Sequence, residues 1–268
     1  MAKAPAKQSA DTTPTVASSV PDFLATSVLE DAGKGVSSAA EDNIIPLVYV
    51  LQSNSHQVNK RDPDYIEGAE SGDLWLRGSG LPPIKGDEGI LVQPCYFYRN
   101  FVEWRLPRGS GMAGVHDTMP ADAKPAPSPE NPEKIIMLRP NGNQVVDTRN
   151  HIVRVYHPAG KVMSYSIPLS STGHTSSRNW MTLMNMKVTN GRKAPSWAGL
   201  YRIKTKSRTN KSGTWNVLDV TDEGWVETVE DYNAGKDLYE AFVKGEKVVE
   251  APSEDFNDSP HEDADAPM

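Results

Sequence analysis

Short apolar runs cut by glycine and proline limit this chain to a sheet-rich fold. Gly72, Gly78, Gly80, Gly86 and Gly89 punctuate one stretch that carries the runs 73–77 and 90–98. Further along, Asn141-Gly142-Asn143 and Pro158-Ala159-Gly160 separate the runs 135–138, 151–156 and 162–167. Strands joined by tight turns fit this texture, and the Pro-Ala-Gly turn makes the last two runs a hairpin candidate. Strands are also expected at 200–206, 214–220 and 224–229, with 207–213 as a hairpin tip. The run 44–51 is β-branched, and Pro46 keeps it from a central ladder position, so it reads as a short strand or a helix start.

Two helices stand out. In 176–188, Trp180, Leu183, Met184 and Val188 fall at helical spacing, with Thr175 or Ser176 as cap. The second spans 231–244 and groups Tyr232, Leu238, Tyr239 and Phe242. Residues 1–40 read as a disordered arm and linker, 41–248 as a single β-rich domain, and 249–268 as an acidic disordered tail. Five prolines between Pro120 and Pro132 make about 109–134 a long flexible loop.

Charge is sharply segregated. Between Arg149 and Lys211 lie twelve Lys and Arg and no Asp or Glu, although the net charge is −7. The rest of the chain to Met268 has three lysines and sixteen acids. A polyanion partner accounts for the missing carboxylates, because each would repel phosphate. A solvated basic face is the plainer reading, but this one is interleaved with Trp180, Trp197, Tyr201 and Trp215, as in single-strand binders that stack bases on aromatic rings.

Arg202, Lys204 and Lys206 would project from one strand face, opposite Tyr201 and Ile203. The same alternation fits a solvent face above a core of Tyr201 and Ile203. Trp180 is expected in the core; Trp197, Tyr201 and Trp215 are the stacking candidates. The nucleic-acid-binding set is Arg178, Lys187, Arg192, Lys193, Trp197, Tyr201, Arg202, Lys204, Lys206, Arg208, Lys211 and Trp215. Arg105 and Arg108 join it from a second patch, 99–109.

Catalytic chemistry finds little footing. The six histidines show no HExxH or paired metal spacing, and P-loop and G-x-S-x-G motifs are absent. Cys95 is alone, which excludes an internal disulfide or thiolate cage and suits a reducing cytosol. Asp62, Asp64, Glu67, Glu70 and Asp73 cluster as in a metal nuclease, but match no ligand spacing. No enzyme activity, metal or cofactor is expected. No apolar stretch is long enough to span a bilayer, and the expected location is the cytoplasm.

The segments Phe101-Val102-Glu103-Trp104, Asp147-Thr148-Arg149-Asn150-His151 and Ser176-Ser177-Arg178-Asn179-Trp180-Met181, with the acidic tail, resemble the single-stranded DNA-binding proteins of tailed phages over roughly 44–245. The resemblance implies a mostly β fold, an elaborated OB-like β-barrel with two appended α-helices and disordered N- and C-terminal tails. It also implies single-stranded DNA as ligand, replication or recombination proteins as partners of the tail, and host-cell cytoplasm as location. Homo-oligomers stay open. The chain departs from such proteins in ending Asp265-Ala266-Pro267-Met268, without a terminal aromatic. The rival expectation is a phage structural or host-interaction protein that binds no nucleic acid.

Overall fold

The computed structural model describes residues 43–210 and 213–252. The expected arm and linker before residue 43, the tail beyond Pro252, and Lys211 lie outside the described residues.

Two long antiparallel strands, β4 (Ile90–Trp104) and β8 (Gln144–Tyr156), form the spine of an eight-stranded sheet. They pair from Leu91↔Tyr156 to Trp104↔Gln144, with a bulge between Pro94 and Tyr96. The other edge of β4 is shared by β12 (Gly199–Asn210), near its start, and β5 (Met112–His116), near its end. Beyond β8 lie β9 (Val162–Ser170) and β7 (Ile135–Leu138); β13 (Gly213–Trp225) pairs with β12, and β6 (Lys124–Pro127) with β7. The sheet order is β13-β12-β4-β8-β7-β6, with β5 on β4 and β9 on β8.

The expected OB-like barrel is corrected by this order. β13 and β6 end the sheet without pairing to each other, so the architecture is mostly β but open. Short pairs complete it: β1 (Ile44–Ile45) with β14 (Val248–Val249), β2 (Val48–Val50) with β3 (Leu74–Leu76), and β10 (Val188–Thr189) with β11 (Arg192–Lys193).

The expected flexible loop at 109–134 is corrected as well, since β5 and β6 fall within it. Pro125 and Pro127 are tolerated because β6 is an edge strand. At alternate positions, both missing N–H groups fall on its unpaired side. The 207–213 tip is shorter than expected, because β12 and β13 stay paired out to Asn210↔Gly213.

Both helices are present. Helix α1 (Gly173–Met186) follows β9, and α2 (Val229–Val243) follows β13. They cover opposite faces of the spine. On the α1 face, Val92, Val153, Val155 and Ile167 pack with Trp180 and Met184. On the α2 face, Cys95, Ile152 and Leu238 pack with Tyr96, Tyr98 and Phe242. Thr228 caps α2 by accepting a 3.0 Å bond from the Asp231 N–H. Gly235 lets α2 sit close to the sheet: a Cβ there would lie 2.5 Å from Gln93 Nε2. That same nitrogen donates to the Trp197 and Asp231 carbonyls, at 2.7 and 2.9 Å.

At the far end of β4, Glu103 is buried in a complete polar cage. Asn141 and Asn143 donate to its Oε1 at 3.0 and 2.6 Å; His116 and Arg139 reach its Oε2 at 2.7 and 2.8 Å. Burial pushes this carboxyl upward, but the four hydrogen bonds outweigh it and bring the pKa from 4.5 to about 2. A depressed carboxylate pKa stabilises the fold above its unfolded value, and the stabilisation drains as pH falls through the folded one. Thermal denaturation of the wild type should therefore show Tm declining between about pH 4.5 and 2. Glu103→Ala should cost on the order of 3 kcal/mol at neutral pH, by stranding part of the cage, and should flatten that decline.

Candidate functional site

Cross-strand register brings together side chains far apart in sequence. On the α1 face, Phe97 stands opposite His151, Arg99 opposite Arg149, and Phe101 opposite Asp147. Helix α1 begins above this row. The His174 carbonyl accepts from Arg149 Nη1 at 3.4 Å, and His174 Nε2 lies 3.0 Å from the Asp147 carbonyl oxygen. One turn on, Arg178 is exposed and close enough for its charge to act on Arg149.

The result is a row of three guanidiniums centred on Arg149, with Asp147 paired to Arg99. Arg99 holds Asp147 in a bidentate pair, 2.6 Å at each oxygen, and lies 5.1 Å from the Phe101 ring centroid. Burial lowers the Arg149 pKa; Asp147 opposes this, while the like charges of Arg99 and Arg178 reinforce it. An anion in this cluster would relieve that repulsion. The first turn of α1 carries no acidic residue, and its N-cap, Thr172, makes no side-chain cap, so the helix start adds a further positive potential.

Next to this cluster is a cavity of about 250 Å³, bounded by β4, β8, α1 and the β10–β11 hairpin and lined on this face by Phe97, His151, Met181 and Asn185, with Tyr96 and Lys193 also among its lining residues. His151 is fully buried, stacks on Trp180 at 4.4 Å and 13°, and shares a 2.9 Å hydrogen bond with the Ser177 hydroxyl through Nε2. Burial, aided by Arg149, brings its pKa from 6.5 to about 3, so the ring is neutral.

The residues singled out from sequence are dispersed. Tyr201 is corrected from stacking platform to core: it is 0% exposed and lies edge-on to Trp180 at 6.2 Å. Lys187 is likewise corrected. It is 7% exposed, 2.7 Å from Asp222 Oδ1, and its amine lies 4.5 Å from the Trp225 ring centroid. Trp197 is half-buried beneath α2, 4.9 Å from Tyr239 and 6.4 Å from Tyr232. Arg192 and Lys193 are exposed on the small hairpin beside the cavity.

The strand stripe does form, on the opposite face of the sheet from Arg178. Tyr201 and Ile203 pair with Val92 and Ile90 and point toward α1, so Arg202, Lys204 and Lys206 point the other way. There β13 supplies the acids the sequence run lacks. Arg202 lies 3.7 Å from Glu223, Lys206 pairs with Asp219, and Lys204 stands opposite Asp219 in register. Arg208 is exposed at the far end, opposite half-buried Trp215. Arg105 and Arg108 sit in the β4–β5 turn: Arg105 Nη1 donates to the Met112 carbonyl at 2.7 Å, and the Arg108 N–H donates to Glu130 at 2.8 Å. The acids of 62–73 do not converge, since Asp62 pairs with His56 and Asp73 with Lys85.

Sequence reasoning left Arg99 and Arg149 out of the set. The available signal was that each sits two places from an aromatic ring, Phe97 and His151, on strands of matching alternation.

No helix among the described residues is long and apolar enough to cross a membrane. No curated protein and no solved structure matches the chain. A family described as Pam3 phage gp34-like protein matches residues 11–248, and the chain belongs to this phage protein family.

Proposed function

We propose that this phage protein is a non-catalytic binder of single-stranded DNA that acts in phage replication or recombination in the host cytoplasm, with the α1 face as its interface. The observation that carries this reading is the Arg99–Arg149–Arg178 cluster, three cations centred on Arg149 with Asp147 paired to Arg99, beside an aromatic-lined cavity. Guanidiniums hold phosphate through paired, charge-assisted hydrogen bonds. Arg192 and Lys193 extend the positive surface past the cavity.

The direct test is fluorescence anisotropy with labelled oligo-dT, matched duplex and RNA across a salt titration. Affinity should fall linearly in log–log with salt, with a slope of about −0.7 per phosphate neutralised. Undetectable binding of every single strand at low salt would sink the reading and leave the structural or host-interaction role.

The acidic C-terminus gives a second expectation. Residues 253–268 contain six acids and no Lys or Arg, and a polyanionic segment competes with DNA for a basic site. Truncation after Pro252 should tighten oligo-dT binding several-fold at low salt and leave it unchanged at high salt. The freed tail would be offered to replication or recombination proteins.

A further inference from the structure

The cavity beside the arginine cluster is neither an extension of the phosphate site nor a continuation of the core. Its walls are mainly rings and thioethers, and its polar groups are few. At about 250 Å³ it exceeds the roughly 150 Å³ apolar cavity that takes up benzene, so a two-ring heterocycle fits. His151 lines it while fully buried, and its Nδ1 has no hydrogen-bond partner. An unpartnered buried nitrogen is costly, and a ligand polar group in the cavity would lower that cost.

We infer that this cavity is a nucleobase pocket: it receives one base of a bound strand, or the base of a free nucleotide, between Phe97 and Met181, with His151 hydrogen-bonding the base. With Nε2 engaged by Ser177, Nδ1 offers the base one hydrogen bond, and the neutral ring brings no charge to attract a phosphate. Arg178, Met181 and Asn185 lie at i, i+3 and i+7 along one side of α1, so the helix runs from the phosphate cluster to the cavity. Lys193 supplies a cation on the hairpin side. The pocket for a strand base rests on the proposed function; the pocket for a free nucleotide does not.

The test uses the full chain and two probes: oligo-dT carrying one 2-aminopurine, and adenosine monophosphate. Asn185→Trp obstructs the cavity from an exposed helix position, and His151→Phe keeps a ring while removing the nitrogens. Thermal melts establish that each variant folds; should His151→Phe not fold, Asn185→Trp carries the test alone. Strand binding with 2-aminopurine quenching, the quenching lost and affinity lowered about tenfold in Asn185→Trp, supports the inference. Strand binding without quenching overturns the inference and leaves the proposed function standing. If no strand binds, the proposed function falls. Adenosine monophosphate binding by calorimetry that Asn185→Trp abolishes then supports the pocket, and its absence overturns it. Binding of N-acetyl-phenylalaninamide in place of adenosine monophosphate also overturns it, in favour of a protein side chain as occupant.

Discussion

Replacing Arg149 and Arg178 together with Met is expected to weaken oligo-dT binding about 100-fold at moderate salt. Each lost charge-assisted bond to phosphate is worth roughly 1.5 kcal/mol or more, and about 3 kcal/mol is a factor near 100. The salt slope should shrink by about 1.4, or 0.7 for each phosphate no longer neutralised. Methionine keeps an apolar stem at partly buried Arg149, so the fold is spared the packing loss an alanine would cause. The matched control is Arg202→Met with Lys206→Met. Those cations already face Glu223 and Asp219, so their removal should change affinity less than about threefold. A larger loss from the β12 pair than from the α1-face pair would move the interface to the other side of the sheet.

The largest expected effect on stability is at Trp180. Its ring is 0% exposed, stacks on His151 and meets Tyr201 edge-on. Trp180→Ala opens a large cavity beneath α1 and should cost about 3–5 kcal/mol. In a domain of this size that is a fall in Tm of roughly 6–20 °C, readable by calorimetry or circular dichroism. Trp180→Phe should recover most of it. A Tm within about 2 °C of wild type for Trp180→Ala would mean the α1 core is not packed as described.

Local pattern was enough for several elements. The hairpin of β8 and β9 follows from alternation around the Pro158-Ala159-Gly160 turn, and β8 ↔ β9 pair from Tyr156↔Val162 as that turn requires. The helix carrying Trp180 follows from its apolar spacing, although it starts earlier than the hydroxyls at Thr175 and Ser176 predict. The second helix starts at Val229, two residues before the expected Asp231, because Thr228 caps it by accepting from the Asp231 N–H. The open sheet was not legible, because the same strands would pair equally well in a closed barrel, and only long-range register distinguishes the two.

The arginine cluster shows why the site was less legible than the fold. Alternation continued from Val92 through an unbroken β4 would put Tyr96 and Tyr98 on the α1 face. The bulge between Pro94 and Tyr96 inserts one residue and exchanges them for Phe97 and Arg99. That single residue places Arg99 opposite Arg149 and gives the cavity its Phe97 wall.

By itself the sequence determined the hairpins, both helices and the run from Arg149 to Lys211 that carries no acid. Only the tertiary structure decided which of those cations stay open to a partner. Strand pairing sets Asp219 and Glu223 beside the β12 stripe and Asp222 beside Lys187, while β4 brings Arg99 to Arg149. The reason is geometric: charge along a chain is averaged over neighbours in sequence, whereas an incoming phosphate meets the charges that register and face have placed within a few ångströms of one another.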